Sequence, residues 1–62
     1  MITIRDKLAC LERELRIRRQ VYPNRILTKR MSLKKAEREL TLIEAIIEDY
    51  RTIIAAEETQ IM

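Results

Sequence analysis

The sequence predicts an all-α protein, an antiparallel helical hairpin expected to dimerise into a four-helix bundle. Three observations point there. The 62 residues include no glycine and one proline, so nothing supplies the turns of a sheet, while the abundant Leu, Ile, Glu, Arg, Lys and Ala lose little on entering a helix. Apolar residues recur at alternating spacings of three and four in two separate stretches, the period of one helix face. A chain this short builds a small core, and one cysteine with no histidine offers neither an internal disulfide nor a histidine-containing zinc site. Association with another chain is the remaining source of stability.

The first helix is expected over about 4–22. Thr3 can cap its first turn, and Asp6 stands near the positive end of the dipole. Ile4, Leu8, Leu11 and Leu15 form the stripe, which continues through Arg18 to Tyr22 and so admits one charge. Pro23 is expected to end the helix, because proline lacks the amide donor and pushes the preceding residue out of the helical region. Residues 23–32 then read as a connection with Pro23 opening a short turn and Ile26 and Leu27 folded over the end of the core.

Ser32 reads as the cap of a second helix over about 33–58. Its stripe is unbroken: Leu33, Ala36, Leu40, Ile43, Ile47, Tyr50 and Ile54. A second row at Leu42, Ala45, Ile46, Ile53 and Ala56 makes the apolar face wider than one neighbouring helix can cover, and Cys10, Ile17 and Val21 give the first helix a smaller row of its own. The residues expected to build the core and dimer contact are Leu8, Leu11, Leu15, Leu40, Ile43, Ile46, Ile47, Tyr50 and Ile54. The chain is one domain over 1–62.

Charge is distributed unevenly. Between Arg16 and Lys35 there are eight basic residues and no acid, whereas from Glu37 onward seven acids face two bases. Arg16, Arg18 and Arg19 have a local explanation in the negative end of the first helix dipole and in Glu12 and Glu14 four residues before Arg16 and Arg18. Lys34 and Lys35 do not, since positive charge in a first helical turn is unfavourable, and Glu57 and Glu58 repeat the mismatch at the other end. The unexplained cations are Arg25, Lys29, Arg30, Lys34 and Lys35, the basic tip. Phosphates at the tip, or a second hairpin packed antiparallel so that the basic tip of one lies beside the acidic end of the other, would compensate them; the plain alternative is a solvated loop with no partner.

Other side chains read as structural. Ser32-Leu33-Lys34-Lys35 has the form of a Ser-x-x-Lys nucleophile but sits where a cap belongs, in a chain with little means to enclose a reaction. Glu37 with Glu39 and Glu48 with Asp49 are spaced so that a helix turns them to different faces. Tyr22 and Tyr50 fall on core stripes, and Cys10 reads as a packing residue. No catalytic, cofactor-binding or metal-binding residue is expected, and no small-molecule substrate. The longest hydrophobic run, Ile53 to Ala56, is far below the roughly 20 residues that span a bilayer. With no signal-peptide core at the N-terminus, a cytoplasmic protein without a membrane partner is expected.

Val21-Tyr22-Pro23, Arg30-Met31-Ser32, Ala36, Glu39-Leu40, Glu44-Ala45-Ile46 and Asp49-Tyr50 resemble short reading frames of bacteriophages and of prophages in proteobacteria, over residues 4 to about 52. The resemblance implies a small accessory protein in a bacterial host that acts by binding, modulating a host enzyme, a defence system or phage development. It carries no site residues. Lys29 stands where that group would place glycine. The expected function is non-enzymatic binding of a host or phage protein by a homodimer through the basic tip; the alternative is a nucleic-acid-binding accessory protein whose tip contacts phosphates. The absence of a helix-turn-helix pattern argues against sequence-specific DNA reading.

Overall fold

A computed structural model describes residues 1–60, with side chains described as far as Glu58. Two helices, α1 (Ile4–Leu27) and α2 (Leu33–Gln60), pack against each other as a hairpin. Residues 61 and 62 of the single-domain reading lie outside the described residues. No helix among the described residues is long and apolar enough to cross a membrane.

The start of α1 is a reciprocal cap. Asp6 N–H donates to Thr3 Oγ1 at 3.1 Å, and Thr3 N–H donates back to Asp6 Oδ2 at 2.9 Å. Two amides that the helix leaves without partners are thereby satisfied. The bond from the Thr3 backbone, and second the Thr3 side chain, hold the Asp6 carboxyl below its ordinary value of 3.8. A depressed carboxylate contributes its stability above the unfolded value, so the contribution is expected to fade as pH falls below 3.8 through the folded value. Acid titration of helicity should show that loss in the wild type and not in Asp6→Asn; identical acid transitions would contradict it.

Pro23 does not end α1. The helix runs through it to Leu27, so the connection is residues 28–32 rather than 23–32, and the separate turn expected at Pro23 is the last turn of α1. The reason is packing on both sides of the proline. Tyr22 is only 7% exposed and Ile26, four residues on, is half-buried on the same stripe. Burying such side chains is worth about 1.5–3 kcal/mol each, enough to offset an interior proline's roughly 3 kcal/mol. Leu27, expected over the core, is instead 81% exposed.

The true end of α1 is a Schellman motif. Arg30 N–H donates to Arg25 O at 2.8 Å and Lys29 N–H to Ile26 O at 3.1 Å, with Lys29 in the left-handed region at φ 60°. A side chain there costs about 1–2 kcal/mol that glycine avoids. Lys29→Gly is therefore expected to stabilise the hairpin by about 0.5–1 kcal/mol after the extra freedom of the unfolded chain is counted. Urea denaturation checks this, and a lower midpoint would contradict the assignment.

Ser32 caps α2 as expected, its Oγ accepting the Lys35 N–H at 3.1 Å. The bond also assigns the Ser-x-x-Lys pattern a structural job. Ala36, Ile43, Ile47 and Ile54 are buried on α2, opposite Tyr22 and the half-buried Leu8, Leu11 and Leu15 of α1. Leu33, placed on the stripe by its spacing, is 58% exposed because it precedes the point where the helices meet. α2 is helical through Gln60, the last described residue, and with α1 longer than expected the described helices are nearly matched, at 28 and 24 residues.

Candidate binding surface

One edge of the hairpin carries a ladder of ion pairs between the helices. Arg5 pairs with Glu58 at 2.8 Å, Glu12 with Arg51 at 3.1 Å, and Arg19 with Glu44 at 3.3 Å. The members are seven residues apart on each helix, and the sign alternates along the edge. A pairing of α1 with another α1, or α2 with another α2, along this edge sets like charges opposite each other in the central rung: Glu12 on Glu12, or Arg51 on Arg51. The ladder thus favours α1 against α2 in this register, as edge charges do in coiled coils. Each rung is exposed and worth about 0–1 kcal/mol, so it acts on register more than on stability.

Local reasoning missed this edge. Glu12 does not serve Arg16 four residues on but Arg51 across the hairpin. The sequence signal was the heptad spacing of Arg5, Glu12 and Arg19 with the opposite signs of Glu44, Arg51 and Glu58. The ladder also answers Glu58, whose misfit with the α2 dipole is met by Arg5 of the same chain.

On the other edge, Arg18 is the charge that the α1 stripe admits. Its guanidinium, half-buried, binds Glu14 at 3.0 Å, lies 3.7 Å from the Glu39 carboxylate and donates to Glu39 O at 3.3 Å. A stripe position is therefore filled by a cation whose stem packs and whose head ties the helices together.

The basic tip remains. Arg25 closes α1, Lys29 and Arg30 occupy the connection, and Lys34 and Lys35 open α2, whose first turn holds no acid. None of these five forms an ion pair among the described residues. All five are exposed, and Arg25 lies 6.0 Å from the centre of the Tyr22 ring. The positive end of the α2 dipole adds to the field at Lys34 and Lys35, whereas Arg25, which a helix ending at Tyr22 leaves unexplained, stands in the last turn of α1, where the negative end of that dipole favours it. Tyr22 itself is buried, which removes it as a platform for stacking a base.

Of the expected core and dimer residues, Ile43, Ile47 and Ile54 are buried, Leu8, Leu11, Leu15, Leu40 and Tyr50 half-buried, and Ile46 exposed. Ile46 belongs to an outward row with Leu42 and Ile53. Ile46 and Tyr50 also line an open groove of about 570 Å³ with Ile2, Lys7, Cys10 and Leu11 of the N-terminal part. The groove lies on the side away from the ion-pair ladder, where Arg19, Glu44 and Arg51 gather with Leu15 and Ile47. Comparison with protein-family models, with curated proteins and with solved structures finds no match for this chain.

Proposed function

We propose that this protein is a non-enzymatic binding module, a self-associating helical hairpin whose basic tip engages an acidic surface of a protein partner. The observation that supports the reading is the division of its charges. Ladder and clamp pair Arg5, Arg18, Arg19 and Arg51; of the nine cations without ion pairs among the described residues, Lys7, Arg13, Arg16 and Arg38 are scattered along the helices, while five are gathered, exposed, between Arg25 and Lys35. Lys34 and Lys35, held in the first turn of α2, raise the energy of the free protein, and an anionic partner relieves it. The setting, taken from the resemblance to phage and prophage reading frames, is the cytoplasm of a bacterial host, with a host or phage protein as the partner.

Nucleic acid is the competing anion. Five phosphate contacts would give affinity for duplex DNA that falls steeply with salt, with a logarithmic slope of about −4.5. The reading predicts that labelled duplex and single-stranded DNA are bound weakly at low salt and released by about 0.15 M salt. Retention of either DNA there, lost on charge removal at Arg30, Lys34 and Lys35, would overturn the protein-partner reading in favour of nucleic acid.

A further inference from the structure

We propose that a second copy of this chain covers the apolar edge away from the ion-pair ladder, with the two hairpins antiparallel about a two-fold axis that passes beside Ile46. This rests on the self-association in the reading above and specifies its face and orientation.

Area supports a partner of this size. The chain exposes 5300 Å², whereas a compact monomer of 7.5 kDa exposes roughly 4,250 Å². The difference is near the roughly 800 Å² that each partner contributes to a standard interface. The excess comes from shape. A radius of gyration of 14.9 Å and extents of 51 × 22 × 14 Å describe a single layer of two helices, against roughly 10.6 Å for a compact chain of this length. Stacking a second layer on one face is the step that would make a bundle of it.

The face is chosen by what occupies each side. Leu42, Ile46 and Ile53 are 43–45% exposed on α2, and Cys10 and Ile17 are exposed on α1, on the side that also carries the clamp of Arg18 with Glu14 and Glu39, whose charges are paired within the chain. The opposite side carries the ladder, whose charges are already paired.

Self-complementarity fixes the orientation. Leu42 and Ile53 have their midpoint between Ile47 and Glu48, one turn or less from Ile46. Cys10 and Ile17 have theirs between Arg13 and Glu14. In the register set by Glu12 opposite Arg51 and Arg19 opposite Glu44, the two midpoints lie within about 3 Å along the hairpin. One axis therefore serves both helices, setting Leu42 on Ile53 of the second copy and Cys10 on Ile17, with the two Ile46 side chains on either side of the axis and offset by about 4.5 Å along the hairpin. The same axis brings Arg38 level with Glu57 of the second copy, and neither has an ion pair among the described residues. It also sends the two basic tips to opposite ends, whereas a parallel dimer would bring ten cations together.

Sedimentation equilibrium of the wild type, Ile46→Asp and Ile17→Cys tests the arrangement at tens of micromolar. The wild type should have twice the 7.5 kDa chain mass, and Ile46→Asp should halve it while circular dichroism still reports helix, since Ile46 is outside the hairpin core. Mild oxidation of Ile17→Cys should give a covalent dimer through Cys10 and the new thiol of the other copy. Within one chain those positions are about 10.5 Å apart, beyond the roughly 7 Å limit for a disulfide. A dimeric Ile46→Asp would overturn the face and leave self-association standing. Dissociation by Ile46→Asp without cross-linking of Ile17→Cys would overturn the antiparallel orientation. A monomeric wild type would overturn self-association itself, with the tip's binding role still open to its own test.

Discussion

Ile47→Asp is expected to abolish the helical circular dichroism of the protein. Ile47 is 3% exposed, in the middle of the contact between α1 and α2. Aspartate there would be either an unpaired buried charge or a neutral acid without partners, at a cost of order 3–5 kcal/mol. That equals the whole stability a core of this size supplies, on the order of 3–5 kcal/mol. The contrast with Ile46 is the useful part. One residue away on the helix, the same substitution should leave the hairpin folded. Retained helix and unchanged mass in Ile47→Asp would show that the three-four stripe of α2 faces solvent and that the packing described here is wrong.

Pro23→Ala is expected to stabilise the protein by about 2 kcal/mol. The penalty of an interior proline, about 3 kcal/mol, comes from the lost amide donor to the Arg19 carbonyl and from the ring's clash with the preceding turn. Part of the gain on replacement is returned because alanine frees the unfolded chain, by about 0.4–1 kcal/mol. For a chain of this length, 2 kcal/mol corresponds to a rise of about 8–16 °C in melting temperature. If Pro23 instead opened a separate turn, alanine would remove a preset φ and the melting temperature would fall. The sign of the change thus decides between a helix ending at Tyr22 and one ending at Leu27.

These two residues mark what could be read from the sequence. Ile47 lay on a stripe of unbroken period, and the burial of Ala36, Ile43, Ile47 and Ile54 follows from that period alone. Thr3 and Ser32 were legible as caps because an N-cap is a local interaction over three residues. Pro23 misled because its local preference is real and is overridden by Tyr22 and Ile26, whose burial depends on α2 being in place. The Lys29 turn was marked only by a missing glycine.

The interaction surface was legible in part for the same reason. The tip is isolated by setting aside cations that local physics explains, but some of those cations take partners across the hairpin and not along their own helix. Arg19 pairs with Glu44 rather than resting on the helix dipole alone, and Glu12 pairs with Arg51 rather than Arg16. Pairs separated by 25 and 39 residues become visible once the hairpin register is known. The tip survived the correction because residues 28–32 carry no acid and the first turn of α2 has none to lend. The acidic end of α2 did not survive it intact, since Arg5 takes Glu58 and leaves Glu57 as the acid available to another copy.

The central claim is that the five cations of the tip carry partner recognition. The most direct measurement is a paired affinity capture from bacterial lysate, treated with nuclease, using the wild type and Arg30→Ala/Lys34→Ala/Lys35→Ala as baits of equal helicity. The account predicts a protein retained by the wild type, released by salt and absent from the substituted bait. Equal recovery of the same protein by both baits would contradict it.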